Sequence, residues 1–256
     1  MHAVALTHPG AVFCLESAAA LLGLPLLGRQ REVHILDAQG TAARRIGTVR
    51  VHVSAVARDI DDLDGILVTT PSETVVDLAR LRHPASALAA ADALVQASRW
   101  VDGSPLLERN DARAGSRGRR AAVWPLKFAS PLSGSVLESV NRACVHWLGY
   151  PPPVLQAPFS LPSGGCRADM FWEEFGVVGE ADGRVKYDGS LGDPAAALWK
   201  EKRREDELRR RVRTVVRWTW ADLRSRDVFD RRLHEAGIPR LRQVESARLA
   251  TLVRLL

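Results

Sequence analysis

The sequence predicts an α/β protein with an N-terminal α+β domain followed by a second domain, a mixed central sheet flanked by helices. Short runs with two-residue apolar alternation predict strands, apolar stripes at three- and four-residue spacing predict helices, and the two kinds of segment are interspersed. The 256 residues, 46% of them hydrophobic, suffice for two cores. We place the domains at 1–105 and 133–256, joined by a basic, Gly-containing linker at 106–132.

In the N-terminal half, the pattern predicts strands at 33–36, 49–53 and 66–69 and an Ala/Leu-rich helix at 15–24. The run Thr70-Pro71-Ser72-Glu73 has the form of a capping box, with Thr70 as N-cap and Glu73 as its reciprocal partner. A helix therefore begins at Pro71.

Histidine and cysteine form no metal-binding pattern. His34 and His52 stand inside alternating runs, where an ordinary strand residue is more frequent than a ligand, and nothing nearby in sequence completes a metal set. The cysteines, Cys14, Cys144 and Cys166, are odd in number and far apart. We expect them to be reduced thiols rather than a disulfide or zinc framework.

No segment has the pattern of a membrane span or a secretory signal. The apolar run at 21–27 is interrupted by Gly23 and Pro25 and is too short to cross a bilayer. The N-terminus lacks a basic flank, a continuous apolar stretch and a cleavage site. We therefore expect a cytoplasmic protein without a membrane partner.

Positive charge is concentrated towards the C-terminus. Residues 195–256 contain 17 Lys or Arg and 9 Asp or Glu, a net charge of +8, whereas the whole chain carries +6. A basic region of this kind is typical of nucleic-acid binding. The alternative is a compositional bias, since the chain has 32 Arg and only 4 Lys.

Three carboxylates are predicted to meet on neighbouring strands in the second half. Two strands, 166–172 and 177–182, are joined by a short polar turn and should pair as a hairpin that places Asp169 beside Glu180, with Asp182 on the same face as Glu180. Such carboxylates stay ionised together when they share a cation such as magnesium. Alternatively, they end strands, or Arg167 and Arg184 neutralise them.

The order of elements around these acids gives a family resemblance. A helix in GSVLESV carries Glu138, and the acids are followed by Lys186, the charged helix LWKEKRREDELRR and the strand VRTVVRWTW. With the runs RAD, EADGRVKY and EKRREDELR, this order resembles the DUF559, very-short-patch-repair-like branch of the PD-(D/E)XK nuclease superfamily. The resemblance covers about 133–237 and implies a restriction-endonuclease-like domain.

The resemblance implies a metal-dependent endonuclease acting on nucleic acid, with DNA as the first expectation. Asp169 and Glu180 would hold magnesium or manganese, and Glu138 and Asp182 would hold its waters or a second ion. Asp182 stands where the superfamily has a lysine, so Lys186 would orient the attacking water. Phosphate contacts are expected from Arg204, Lys202 and Arg184.

A second resemblance supplies the rival function. The runs HPGAVFCLESAAALLGLPL and VTTPSETVVDLA resemble the region after the winged helix in AbiEi-type antitoxins, and the winged helix itself would lie before residue 1. The alternative is thus a non-cutting nucleic-acid-binding regulator or antitoxin of a toxin–antitoxin or phage-defence system. A serine or cysteine hydrolase is the third option, but the chain lacks a G-x-S-x-G elbow. The protein partner and the oligomeric state stay open, a homodimer among the options.

Overall fold

The computed structural model describes residues 1–37, 40, 42–54, 56–182 and 194–256, with the backbone alone at 194–198, 200, 201 and 226. Within this part the α/β class is confirmed. The chain divides into two compact units, Met1–Val136 (unit 1) and Leu137–Leu256 (unit 2). Each unit has its own mixed sheet.

Unit 1 is built on a six-stranded sheet with the strand order β3-β4-β2-β1-β6-β5. Its strands are β1 (Val12–Phe13), β2 (Val33–Asp37), β3 (Arg44–Ile46), β4 (Val49–Val53), β5 (Ile60–Leu63) and β6 (Ile66–Thr69). Three of them confirm the strands predicted from alternation. β2 pairs with β4 in parallel, which sets His34 opposite Arg50 and Leu36 opposite His52, so these four residues share one face.

Six helices complete unit 1: α1 (His2–Thr7), α2 (Leu15–Leu21), α3 (Pro71–Leu81), α4 (Pro84–Ala97), α5 (Ser104–Ala112) and α6 (Arg119–Lys127). Apolar residues of α2 to α6 form one buried cluster. A second cluster lies on the sheet and includes Phe13, Ile35, Val51 and Val68. The helix predicted at 15–24 is thus present but ends earlier.

The start of α3 follows the sequence prediction only in part. The Thr70 side chain accepts a hydrogen bond from the Glu73 backbone N–H at 3.4 Å, which confirms the N-cap. The reciprocal half of the predicted capping box is wrong, because the Thr70 N–H donates to the carbonyl of Asp59. The Glu73 carboxylate instead accepts from Arg109 and Arg113.

The structure corrects the linker predicted at 106–132. This range contains most of α5 and all of α6, and Leu106, Ala122 and Leu126 are fully buried in the helical core of unit 1. The buried Arg80 on α3 also donates to the Asn110 side chain at 2.8 Å and to the carbonyl of Gly115 at 2.7 Å. The segment is therefore part of the helical core of unit 1 and not a linker between domains.

Unit 2 has a four-stranded sheet with the order β10-β9-β8-β7. Its elements are α7 (Val136–Trp147), β7 (Val154–Leu161), β8 (Gly164–Trp172), a 3-10 turn (Glu173–Phe175), β9 (Val177–Ala181), α8 (Pro194–Arg209), β10 (Thr214–Trp218), α9 (Trp220–Arg224), α10 (Arg226–Glu235) and α11 (Ser246–Val253). Neighbouring strands are antiparallel except for the parallel pair β9–β10. The predicted order of helix, three strands, helix and strand is therefore present.

The predicted hairpin at the centre of unit 2 is confirmed. β8 and β9 pair antiparallel, with Met170 opposite Gly179, and the Ala181 N–H beyond this pair donates to the Asp169 carboxylate at 2.8 Å. Gly179 is required because a Cβ atom there would collide with the indole of Trp218. Strand β9, which carries Glu180, therefore packs closely against the aromatic side chains of unit 2.

Two further observations concern the cysteines and the possibility of a membrane-spanning helix. Cys14, Cys144 and Cys166 are free thiols, and the first two are buried. In the described ranges, no helix combines the length and apolar character that crossing a bilayer requires.

Candidate functional site

The acidic site of unit 2 is assembled from three elements. The Asp169 carboxylate accepts a hydrogen bond from the Ala181 backbone N–H at 2.8 Å and a longer one from the Gln156 amide at 3.5 Å. The same amide donates to the Glu138 carboxylate at 3.0 Å. Glu138 on α7 therefore leans over the sheet towards Asp169, and Gln156 on β7 links the two acids.

Gln156 has an unusual backbone. It lies opposite Asp169 in the β7–β8 ladder, between the pairs Leu155–Met170 and Ala157–Ala168, yet its φ is +49°. A non-glycine residue in this left-handed conformation costs about 1–3 kcal/mol and is enriched at functional sites. Gln156 was not among the residues predicted from the sequence. The only signal there is that a polar residue stands among apolar residues near the start of a strand.

Asp169 has mainly uncharged partners. Burial raises the pKa of the Asp169 carboxyl, while the hydrogen bonds from Ala181 and Gln156 and the charge of Arg204 act in the opposite direction without cancelling it. Arg204, which the sequence predicts to contact phosphate, thus acts electrostatically on Asp169, and its contact with phosphate stays a prediction. A carboxyl of this kind is suited to hold a proton or to pair with an incoming cation.

The described residues do not assemble a complete metal site. Nowhere in these ranges do three His, Cys, Asp or Glu side chains converge closely enough to share an ion. Glu180 stands opposite Arg217 in the β9–β10 ladder, and Asp182 is exposed beyond the strand, with its N–H donating to the Trp218 carbonyl at 2.8 Å. The magnesium or manganese site stays a prediction.

The remaining predicted contacts fall into two groups. Lys186 and Arg184 lie outside the described residues. Lys202 is exposed on α8 with its ammonium 5.5 Å from the centre of the Trp199 ring, and that indole is 69% exposed. This pair presents a cation and an aromatic face to solvent.

Unit 1 contains a large cleft that the sequence analysis did not predict. It has a volume of about 880 Å³ and lies along the face of the sheet that carries His34 and His52. Seven arginines line it, against two glutamates, Glu16 and Glu32. The arginines are Arg29, Arg31, Arg44, Arg45, Arg50, Arg82 and Arg117. The lining is therefore strongly positive.

The arginines of this cleft, hereafter the arginine cleft, are only partly neutralised. Arg45 and Arg50 share Glu32 at 3.3 and 3.2 Å, and both guanidinium groups are about half exposed. Arg29, Arg31 and Arg117 are exposed and make no ion pair or hydrogen bond through their side chains with any other described residue. Positive charge without an internal partner attracts an anionic ligand.

A polar chain forms the floor of the arginine cleft. Arg82 donates to the Glu16 carboxylate, including one bond of 2.9 Å, and the His34 Nε2 lies 3.4 Å from the same carboxylate. The other nitrogen of His34 lies 2.9 Å from the Nε2 of His52. Because the carboxylate of Glu16 can only accept, this network assigns the Nε2 proton of His34 to Glu16 and the Nε2 proton of His52 to His34.

This assignment leaves the Nδ1 of His52 as an acceptor. Burial, followed by the charges of His34 and Arg82, lowers the pKa of His52 from 6.5 to about 4. Burial is also the largest influence lowering the pKa of His34. Both rings are therefore neutral at pH 7, and His52 offers the cleft a hydrogen-bond acceptor rather than a charge.

A second charged cluster of unit 1 is paired within the fold. Arg58 donates to Asp77 with two bonds of 3.2 Å and lies 3.4 Å from Glu73, and the deeply buried Arg113 pairs with both acids. Arg109 adds a 2.6 Å bond to Glu73. Each acid therefore has a charged partner inside the fold.

Comparisons with known proteins place a similarity on unit 1. Residues 11–123 match the family described as the AbiEi antitoxin C-terminal domain. The chain is also 35% identical over 175 residues to two proteins of Mycobacterium tuberculosis, the uncharacterized proteins MT2308 of strain CDC 1551 and Rv2248 of strain H37Rv. The aligned part is 66% of this chain and 62% of each relative, so the chain spans less than two thirds of their length.

No solved structure matches the chain. The family match supports the predicted AbiEi resemblance, whereas the comparisons give no support to the predicted nuclease resemblance of the second half. All residues that line the arginine cleft, from Glu16 to Arg117, fall within the matched range.

Proposed function

We propose that this chain is an antitoxin-like regulator that acts in the cytoplasm by binding nucleic acid without cutting it. The observation that carries the proposal is the match of residues 11–123 to an antitoxin domain, because this range encloses the arginine cleft. A regulator of this kind needs a surface that binds its partner but does not need a catalytic site. An open cleft lined by exposed guanidinium groups meets this need, since guanidinium binds phosphate with paired, charge-assisted hydrogen bonds.

The charge of the whole chain supports the same partner. With a net charge of +6, the protein attracts polyanions, and the basic region at 195–256 adds sequence-independent affinity. The exposed Lys202–Trp199 pair fits this role too, because an indole face can stack on an unpaired base next to a phosphate held by the ammonium.

One specific observation favours a second candidate function, a metal-dependent nuclease. Glu138, Gln156 and Asp169 are brought together on the sheet of unit 2 in the element order that the nuclease resemblance implies. The strained backbone of Gln156 is the kind of feature that functional sites retain. This candidate ranks second because the described residues do not assemble the ligands that a metal ion needs.

The experiment that tests the proposal uses the full chain with labelled duplex DNA, single-stranded DNA and single-stranded RNA. Binding is measured by fluorescence anisotropy from about 50 to 200 mM salt, and cutting is assayed on gels with magnesium and with manganese. We expect binding that weakens by about 100-fold across this range, as about four phosphate contacts on duplex DNA would give, and intact substrates.

Two outcomes would overturn the proposal. The absence of binding to all three nucleic acids would remove the regulator function. Metal-dependent cutting that is lost in Asp169→Asn would instead establish the nuclease, since Asn cannot supply the carboxylate charge that a divalent ion requires.

A further inference from the structure

We infer that the arginine cleft of unit 1 is a site for a few unpaired nucleotides, whose phosphates bind its rim arginines while His52 accepts a hydrogen bond from a sugar or base. This inference rests on the proposed function and gives it a location and a ligand class. Neither the family match nor the relatives assign a ligand to these residues.

The size of the arginine cleft selects the form of nucleic acid. Its volume of about 880 Å³ lies within the range of small-ligand pockets, roughly 300–1,000 Å³. A few nucleotides of single strand fit such a space, whereas a whole duplex does not. The cleft therefore favours a strand end or an unpaired segment.

The arginines are arranged so that a phosphate chain can replace weak internal contacts. Arg29, Arg31 and Arg117 have no ion-pair partner among the described residues and are free to bind phosphate without breaking a contact. The pairs of Arg45 and Arg50 with Glu32 are exposed to solvent and therefore contribute little to the stability of the fold. Exchanging them for phosphate contacts therefore costs little.

The floor of the cleft adds a polar contact that phosphate does not supply. The hydrogen-bond chain from Arg82 through Glu16 and His34 orients His52 and leaves its Nδ1 as an acceptor without a partner in the described part of the chain. A phosphate oxygen cannot donate to it, but a 2′-hydroxyl or a base N–H, such as the N3–H of uracil or thymine, can. Only RNA carries the 2′-hydroxyl, so a comparison of RNA with DNA separates the two donors.

The test compares two triple variants that lose the same charge. The cleft variant is Arg29→Gln, Arg31→Gln and Arg117→Gln. The control variant is Arg99→Gln, Arg120→Gln and Lys127→Gln, three basic residues that are also exposed and that do not line the cleft. Binding of labelled oligouridylate and oligothymidylate is measured for both variants and for the wild-type chain over a salt series.

We expect the cleft variant to bind more weakly and with a shallower salt dependence. Losing three phosphate contacts reduces the slope of log affinity against log salt by about 2 for single strands, whereas the control variant should keep the wild-type slope. His52→Phe keeps an aromatic ring but loses the acceptor, so it should weaken binding by about fivefold. If the acceptor serves a 2′-hydroxyl, the loss is confined to oligouridylate; if it serves a base, both strands lose affinity.

The outcomes separate this inference from the proposed function. A wild-type chain that binds no nucleic acid overturns both. A wild-type chain that binds, together with cleft and control variants that lose affinity equally, overturns the cleft alone and leaves binding to the general charge. Unchanged melting temperatures of the variants show that a lost affinity is not a lost fold.

Discussion

The carboxylates withdrawn from water in the two units differ in how their charge is balanced. In unit 1, Glu73 and Asp77 accept from arginines that are themselves buried, Arg58 and Arg113. In unit 2, Asp169 accepts from a backbone N–H and a side-chain amide, and burial raises its pKa. The acids of the two units therefore differ in how far a neighbouring positive charge compensates them.

The difference follows from the free energy of desolvation. A buried carboxylate with a charged, hydrogen-bonded partner is compensated and stabilises one arrangement of the fold, so we assign the Glu73–Asp77 cluster a structural role. A carboxylate with neutral partners retains an unmet preference for positive charge. We therefore expect Asp169, whose hydrogen-bond partners among the described residues are neutral, to be the acid that is available to a ligand, and the following predictions test this distinction.

The largest effect is expected at Arg113. Its side chain is 4% exposed and pairs with Glu73 and Asp77, so Arg113→Met leaves two buried acids short of positive charge. The free energy of unfolding should fall by about 3–5 kcal/mol, measured by urea denaturation. The matched control, Arg44→Met, removes an exposed pair with Asp37 and should change it by less than about 1 kcal/mol.

Similar losses in these two variants would contradict the structural role of the buried cluster. They would mean that solvent reaches Arg113 in the folded protein. The comparison between the units would then no longer rest on compensated charge.

The same chemical change at two acids should have opposite effects. Asp77→Asn removes the charge that compensates Arg58 and Arg113 and should lower the free energy of unfolding by about 2–4 kcal/mol. Asp169→Asn removes a charge that burial disfavours and keeps an acceptor for the Ala181 N–H, so the protein should be unchanged or stabilised by up to about 1 kcal/mol at pH 7.

Urea denaturation of both asparagine variants measures this difference. A marked loss of stability in Asp169→Asn would show that the charge of Asp169 is compensated in the fold. Its assignment as an acid available to a ligand would then be wrong.

A pH-dependent effect is expected from His52 in unit 1, which sharpens the comparison because its partial burial is met by a neutral ring rather than by an opposite charge. The pKa of His52 falls from 6.5 to about 4 on folding, so between these values the unfolded chain binds a proton that the folded chain does not. Stability should therefore decrease as the pH falls from 6.5 to 4. The melting temperature of His52→Gln should decrease less over this range, and parallel profiles would exclude His52 as the source.

The sequence by itself determined the elements that carry the candidate site. Alternation located β8 and β9, and the short turn between them made the antiparallel hairpin in which Met170 lies opposite Gly179. The Thr70 N-cap likewise located the start of α3. These features depend on neighbours within a few residues, so local patterns are enough to predict them.

Only the tertiary structure decided which charges are compensated and where a cleft is open. The arginine cleft gathers residues from Glu16 to Arg117, and Arg113 finds Glu73 at a separation of 40 residues. Gln156 on β7 contacts Asp169 on the neighbouring strand β8. Leu106 and Leu126 anchor α5 and α6 in the core, although the segment around them is polar. Burial and ion pairing depend on contacts between residues that are far apart in the sequence. The sequence around an arginine or an aspartate therefore does not decide whether its charge is paired inside the fold.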